Sequence, residues 1–240
     1  MSLNLAVIFA GGSGVRMNSG SKPKQFLEYK GKPIIIYTLE LFDSHPDIDG
    51  IVVACIQNWI PTLEDQLEHF GIQKVVKVVP GGRTGQESIY NALCAAETYA
   101  EGRDTVVLIH DGVRPLITHK VIRENIAAVE RFGNCITCVP AIETFIIEKK
   151  DNLLEIPDRN SVLVARAPQS FFIKDILSAH RRARTDNLYF IDCCTMMSYY
   201  GHHLHTIIGP VENIKITTPI DFILFKALIE ADKDPQIALL

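Results

Sequence analysis

Leu5–Leu27 reads LAVIFAGGSGVRMNSGSKPKQFL. Its opening run, Leu5–Phe9, has the length and composition of a strand buried on both faces. Gly11, Gly12 and Gly14 follow, where the backbone has to turn sharply and a ligand can approach it closely. Arg16, Lys22 and Lys24 come next, with Pro23 stiffening the chain between the two lysines. A turn of bare backbone after a strand exposes N–H donors, and long cations beside it add positive charge. The combination suits a polyanion such as a nucleoside triphosphate.

Two common phosphate motifs are absent. No glycine is followed, four residues on, by Gly-Lys-Ser or Gly-Lys-Thr, so there is no P-loop. The dinucleotide fingerprint also fails. Its third glycine is replaced by Met17, and the next strand, near Ile51–Ile56, ends at Gln57 where an acid would hold a ribose. An NAD-linked reductase is thereby disfavoured.

Working outward, apolar runs and amphipathic stretches alternate. Lys32–Ser44 is expected to form a helix started near Pro33, followed by strand Ile51–Ile56 and helix Trp59–Phe70. Strand Lys74–Val79 leads to Pro80-Gly81-Gly82, a helix runs on from Gln86, and strand Thr105–Ile109 leads to His110-Asp111. Such alternation marks an α/β fold, a Rossmann-like and mostly parallel sheet with helices on both faces. Ligands of these sheets lie beyond the carboxyl ends of the strands. Gly11–Arg16, Gly81–Ser88 and Asp111–Arg114 all follow strand ends and should therefore meet at one edge.

Further on, Val121–Arg131 reads as a helix and Cys135–Val139 as a strand. Glu143–Glu148 and Leu153–Ile156 read as extended segments about the polar turn at 149–152. An isolated hairpin is marginally stable, so this one should pack against something else. Helices are expected at Phe171–Arg184, Asp192–Tyr200 and Pro219–Glu230, with a strand at His205–Ile208 and a frayed tail after Asp232. There is no internal repeat or linker, so residues 1–240 are expected to be one domain with an arm at about 143–158.

The chain has 240 residues, 47% of them apolar, and a formal charge of −4. That balance offers no broad basic field for nucleic acid. No run is long enough for a membrane span, and Met1-Ser-Leu-Asn shows no secretory pattern, so a cytoplasmic protein is expected. Cys135 and Cys138 have CxxC spacing but lack a partner pair. In an apolar strand they read as buried thiols. His202, His203 and His205 read as a solvated turn.

Five ordered blocks carry a family resemblance: AGGSGVRM with PKQFL; Gly81, Gly82 and Ser88; HDGVRP at His110–Pro115; Arg159-Asn160 with PQSFF at Pro168–Phe172; and NIKITTP at Asn213–Pro219. They resemble the cytidylyltransferases that make CDP-alcohols from CTP and a sugar-alcohol phosphate, in a methylerythritol-phosphate and a ribitol-5-phosphate branch. KPIIIYTLELF and Asn58-Trp59-Ile60-Pro61 look more like the ribitol-phosphate branch.

The resemblance implies catalytic roles for Arg16 and Lys24 at the transition state, and for Arg159 and Lys215 on the acceptor phosphate. It implies CTP binding by Ala10, Gly11, Gly12, Gly14, Gly81, Gly82, Ser88 and Asp111. Ser88 is also expected to cap its helix. Acceptor binding falls to Arg114, Thr144 and Asp192 with Arg159 and Lys215, although Arg114 can equally serve only to pair with Asp111. Mg²⁺ is expected on the triphosphate, with Asp111 either near it, bonding a hydroxyl, or merely capping a turn. The arm is expected to embrace a second subunit in a homodimer. Ala167 and Ile191 stand where the family has hydroxyl residues, which bears on the acceptor. A catalytically idle homologue is disfavoured because the cations are retained.

Overall fold

The computed structural model describes residues 2–12, 22–149 and 153–231. Arg16 and Gly14, and the tail after Asp232, lie outside the described residues. Strand β1 (Leu3–Ala10) is an interior strand of the sheet, and its alternate residues feed two different cores. Leu5 and Val7 face one side and Ala6 and Ile8 the other, which is why the run is apolar without alternation.

A short 3₁₀ turn (Lys24–Phe26) and a two-strand ribbon, β2 (Glu28–Tyr29) with β3 (Lys32–Pro33), lead into α1 (Ile34–Asp43). The chain then builds outward through β4 (Gly50–Cys55), α2 (Ile60–His69) and β5 (Val75–Pro80), both strands parallel to β1. Helix α3 (Gly85–Ala100) carries it back to β6 (Thr105–Asp111) on the other side of β1. The reversal of direction opens a crevice at the ends of β1 and β6, the usual place for a ligand.

Helix α4 (His119–Phe132) is capped by Thr118 and stopped by Gly133, whose φ of 87° is one that glycine adopts freely. It leads to β7 (Asn134–Pro140). A small hairpin follows, β8 (Ile147–Glu148) against β9 (Leu154–Glu155). Then come β10 (Leu163–Phe172), α5 (Ile173–Thr185), α6 (Cys193–Tyr199), β11 (Thr206–Ile208) and α7 (Pro219–Ala231). The sheet order is β11-β7-β10-β6-β1-β4-β5, and β10 alone runs antiparallel to its neighbours. Helices α3, α5 and α6 cover one face, and α1, α2 and α4 the other.

One sequence expectation is corrected here. The helix expected at Phe171–Arg184 begins at Ile173, and the residues before it form β10, a strand the pattern did not reveal. Pro168 interrupts β10, and the pairing with β7 shifts register between Ala165 and Gln169. Proline has no N–H to give a ladder and is tolerated at such irregularities. The CxxC cysteines lie buried in β7, and burial pushes the Cys135 thiol up to about 12, so it behaves as a small apolar side chain. Among the described residues no helix is long and apolar enough to cross a membrane.

Candidate active site

The loops after β1 and β5 touch. A Cβ on Gly11 would lie 2.6 Å from Ser88 Oγ and 3.4 Å from Gly81 Cα, and one on Gly81 would lie 3.0 Å from Gly11 Cα. Both positions therefore need glycine for close backbone approach. Ser88 Oγ accepts from the Gly82 N–H at 3.0 Å and donates to the Thr84 carbonyl at 2.9 Å. The helix cap is Thr84, which accepts from the Glu87 N–H. Ser88 is thus not a cap, contrary to expectation; one turn inside α3, it fixes the Gly82 loop to the helix.

Gln25, 1% exposed, holds the other side of this cradle. Its Nε2 donates to the carbonyls of Ala10 at 2.6 Å and Gly12 at 3.3 Å. Lys24, beside it, adds positive charge near Asp221, whose carboxylate caps the start of α7 through the Thr217 and Thr218 N–H groups. PKQFL and NIKITTP, far apart in sequence, are thereby neighbours.

The end of β6 carries the charge centre. Asp111 is buried, with Arg114 Nε at 2.8 Å from one carboxylate oxygen and Lys215 Nζ at 2.5 Å from the other. Burial alone would raise a carboxyl's pKa, but Lys215 and then Arg114 outweigh it and hold Asp111 down at about 2. Arg114 also donates to the Asn213 carbonyl at 2.8 Å, and Asn213 Nδ2 to the Ala167 carbonyl at 2.6 Å. HDGVRP, β10 and NIKITTP are knotted together by these bonds. Lys215 remains 39% exposed while Asp111 is sealed, so an incoming anion meets the ammonium first.

Asp192 caps α6 by accepting from the Thr195 N–H at 2.8 Å. That helix is docked on β10 by Gln169, whose Oε1 accepts from the Cys194 N–H at 2.8 Å. Arg159 and Thr144 are exposed at the arm, and Arg159 Nη1 reaches only the Ile142 carbonyl, at 3.4 Å. Among the described residues no hydrogen bond or ion pair joins either of them to Asp111, Arg114 or Lys215.

Sequence reasoning gave no role to Gln25, Gln169, Asn213 or Gln86. The last ties the Phe190 N–H (2.7 Å) and the Leu188 carbonyl (3.3 Å) to the start of α3. Three of the four stand inside quoted blocks, so the signal was an amide side chain embedded in an apolar or glycine-rich motif. Among the described residues no group of three or more His, Cys, Asp or Glu is placed to hold a metal. With both oxygens of Asp111 engaged by cations, the site fits an ion held by the ligand's own phosphates and not a protein cage.

A glycine cradle next to clustered cations, at the switch point of an α/β sheet, has the features of a nucleotidyltransferase-type site. The comparisons specify the class. The family model described as IspD, 2-C-methyl-D-erythritol 4-phosphate cytidylyltransferase, matches residues 4–231. The chain is 50% identical over 237 residues to the ribitol-5-phosphate cytidylyltransferase of Vibrio parahaemolyticus, covering 98% of this chain and 99% of that one. It is 38% identical over 232 residues to the 2-C-methyl-D-erythritol 4-phosphate cytidylyltransferase of Clostridium botulinum, covering 96% and 99%. The crystal structure of 4-diphosphocytidyl-2C-methyl-D-erythritol synthase from Anaerococcus prevotii superposes with a TM-score of 0.83 at 25% identity, over 95% and 96% of the two chains. The chain belongs to the IspD family of cytidylyltransferases.

Proposed function

We propose that the protein transfers CMP from CTP to D-ribitol-5-phosphate, giving CDP-ribitol and pyrophosphate. The observation that carries the choice of acceptor is its greater likeness to the ribitol-5-phosphate relatives than to the methylerythritol ones. An acceptor phosphate oxygen attacks the α-phosphorus of CTP, a P–O bond forms, and the bond to pyrophosphate breaks. An anion attacks an anion, so neutralisation and in-line positioning are the work of the protein.

Ala10, Gly11, Gly12, Gly82 and Ser88 receive cytosine and ribose, and Gly14 and Gly81 complete the CTP-binding loops. Arg16 and Lys24 offset charge developing at the α-phosphorus. Lys215, with Arg159, receives the acceptor phosphate, while Arg114, Asp192 and Thr144 line the acceptor side. Asp111 anchors Arg114 and Lys215 and stays ionised. Magnesium, when it accompanies CTP, neutralises triphosphate oxygens, with Asp111 as the nearby protein carboxylate.

Arg159 and Thr144 sit apart from the charge centre within one chain, while the arm exposes Ile146, Leu153, Leu154 and Ile156. Residues 1–240 act as one domain whose arm, about 143–158, wraps a second copy and delivers both residues to its site. That exposed apolar surface is what such a contact would bury. A CTP-dependent enzyme also fits the cytoplasmic setting expected from the sequence.

The test is an acceptor panel with CTP and Mg²⁺, read as pyrophosphate release. Ribitol-5-phosphate should give the highest kcat/KM. A preference for methylerythritol phosphate, the alternative within the family, would refute the acceptor assignment, and no release with any acceptor would refute the activity.

A further inference from the structure

Arg166 sits in the bulged part of β10, immediately before Ala167, whose carbonyl accepts from Asn213. Gln169 pairs with Ile109, so the antiparallel register brings this part of β10 alongside Asp111. The Arg166 side chain is half-buried. Its Nε is shut off from water yet has no hydrogen-bond partner. Among the described residues it has no ion pair either. Burial first, and the charge of Arg114 second, lower its pKa.

Arg114 and Lys215 already share Asp111, so the carboxylate's charge is cancelled before Arg166 is counted. A withdrawn guanidinium donor with no partner, next to like charge, is costly to keep unless something anionic completes it.

We propose that Arg166 is an acceptor-binding residue, its guanidinium contacting the phosphate of the incoming sugar-alcohol phosphate. The inference rests on the cytidylyl-transfer reading of this site. The guanidinium adds to the net positive charge that Arg114 and Lys215 leave after Asp111 is counted, and unlike them it has no carboxylate partner among the described residues; its planar fork suits phosphate oxygens.

The experiment measures equilibrium binding of ribitol-5-phosphate, by calorimetry, to protein saturated with a non-transferable CTP analogue. Wild type, Arg166→Gln and Arg166→Lys are compared, with affinity for the analogue itself measured in each. Arg166→Gln should weaken acceptor binding by about tenfold to a hundredfold, as for loss of one charge-assisted hydrogen bond. Arg166→Lys should recover most of that loss. Affinity for the CTP analogue should stay within about threefold throughout, which also reports an intact fold. Unchanged acceptor affinity in Arg166→Gln would overturn the proposal, as would equal losses in both variants or a parallel loss of nucleotide affinity. Wild type that binds ribitol-5-phosphate through Arg166 but releases no pyrophosphate would instead sink the transfer reading and leave this one standing.

Discussion

Gln25 commits its amide to two carbonyls of the glycine turn, out of contact with water. Removing it takes the side-chain donor from the buried Ala10 carbonyl, which costs about 1–3 kcal/mol. Gln25→Ala is therefore expected to lower the urea midpoint and, if the turn it braces receives CTP as proposed, to raise KM for CTP more than it lowers kcat. Urea titration and steady-state kinetics on the same preparation check this. At this scale the sequence disclosed the charged and glycine positions but not their supports. Lys215 and Asp111 were legible because charges in short motifs are conspicuous. Gln25 and Asn213 were not, since an amide acquires meaning only from partners that the fold brings to it across 15 and 46 positions.

Strands buried on both faces announce themselves as apolar runs, which is why β1, β4, β6 and β7 were found within a residue or two of their ends; the half-buried edge strand β5 was found from its four valines. β10 was not, because its sequence LVARAPQSFF contains an arginine, a glutamine and a proline. Those polar residues serve the crevice and α6, so the strand's function obscured its structure. The arm was legible as two extended segments, although β8 and β9 are each only two residues long. If it is a dimerisation element, deleting Ile147–Leu154 should yield a monomer that binds CTP normally but transfers CMP poorly. Sedimentation velocity at micromolar concentration checks the state of both forms; a monomeric full-length protein would contradict the assignment.

Across the whole molecule, acid sensitivity follows from three buried imidazoles, of which His45 is lowered by burial and the other two are shifted furthest. His110 is held at about 4 by burial, which outweighs its hydrogen bond to the Arg114 carbonyl, and His180 is held at about 4 by burial. A free histidine titrates near 6.5. The unfolded chain thus binds protons that the folded one refuses as pH falls from about 6.5 to about 4. Stability should drop across that window, by up to ~1.4 kcal/mol per pH unit for each group. Asp111 has the carboxylate sign at lower pH: its contribution is present above about 3.9 and is lost as pH falls towards 2. His180→Phe should flatten the dependence of the urea midpoint between pH 7 and pH 5, one of the three buried-imidazole titrations being removed. Equal slopes in variant and wild type would contradict it.

In the proposed mechanism one sheet edge binds CTP and the arm of a second copy completes the site. Lys24→Ala and Arg159→Ala should each lower CTP- and ribitol-5-phosphate-dependent pyrophosphate release by at least about a hundredfold, one transition-state charge contact being worth about 3 kcal/mol. Mixing equal amounts of the two variants, after subunit exchange, decides whether the residues act across the interface. A hybrid dimer would then hold one site with both Lys24 and Arg159 intact, and random pairing should restore about a quarter of wild-type turnover. Turnover in the mixture no higher than the mean of the separate variants would contradict the account.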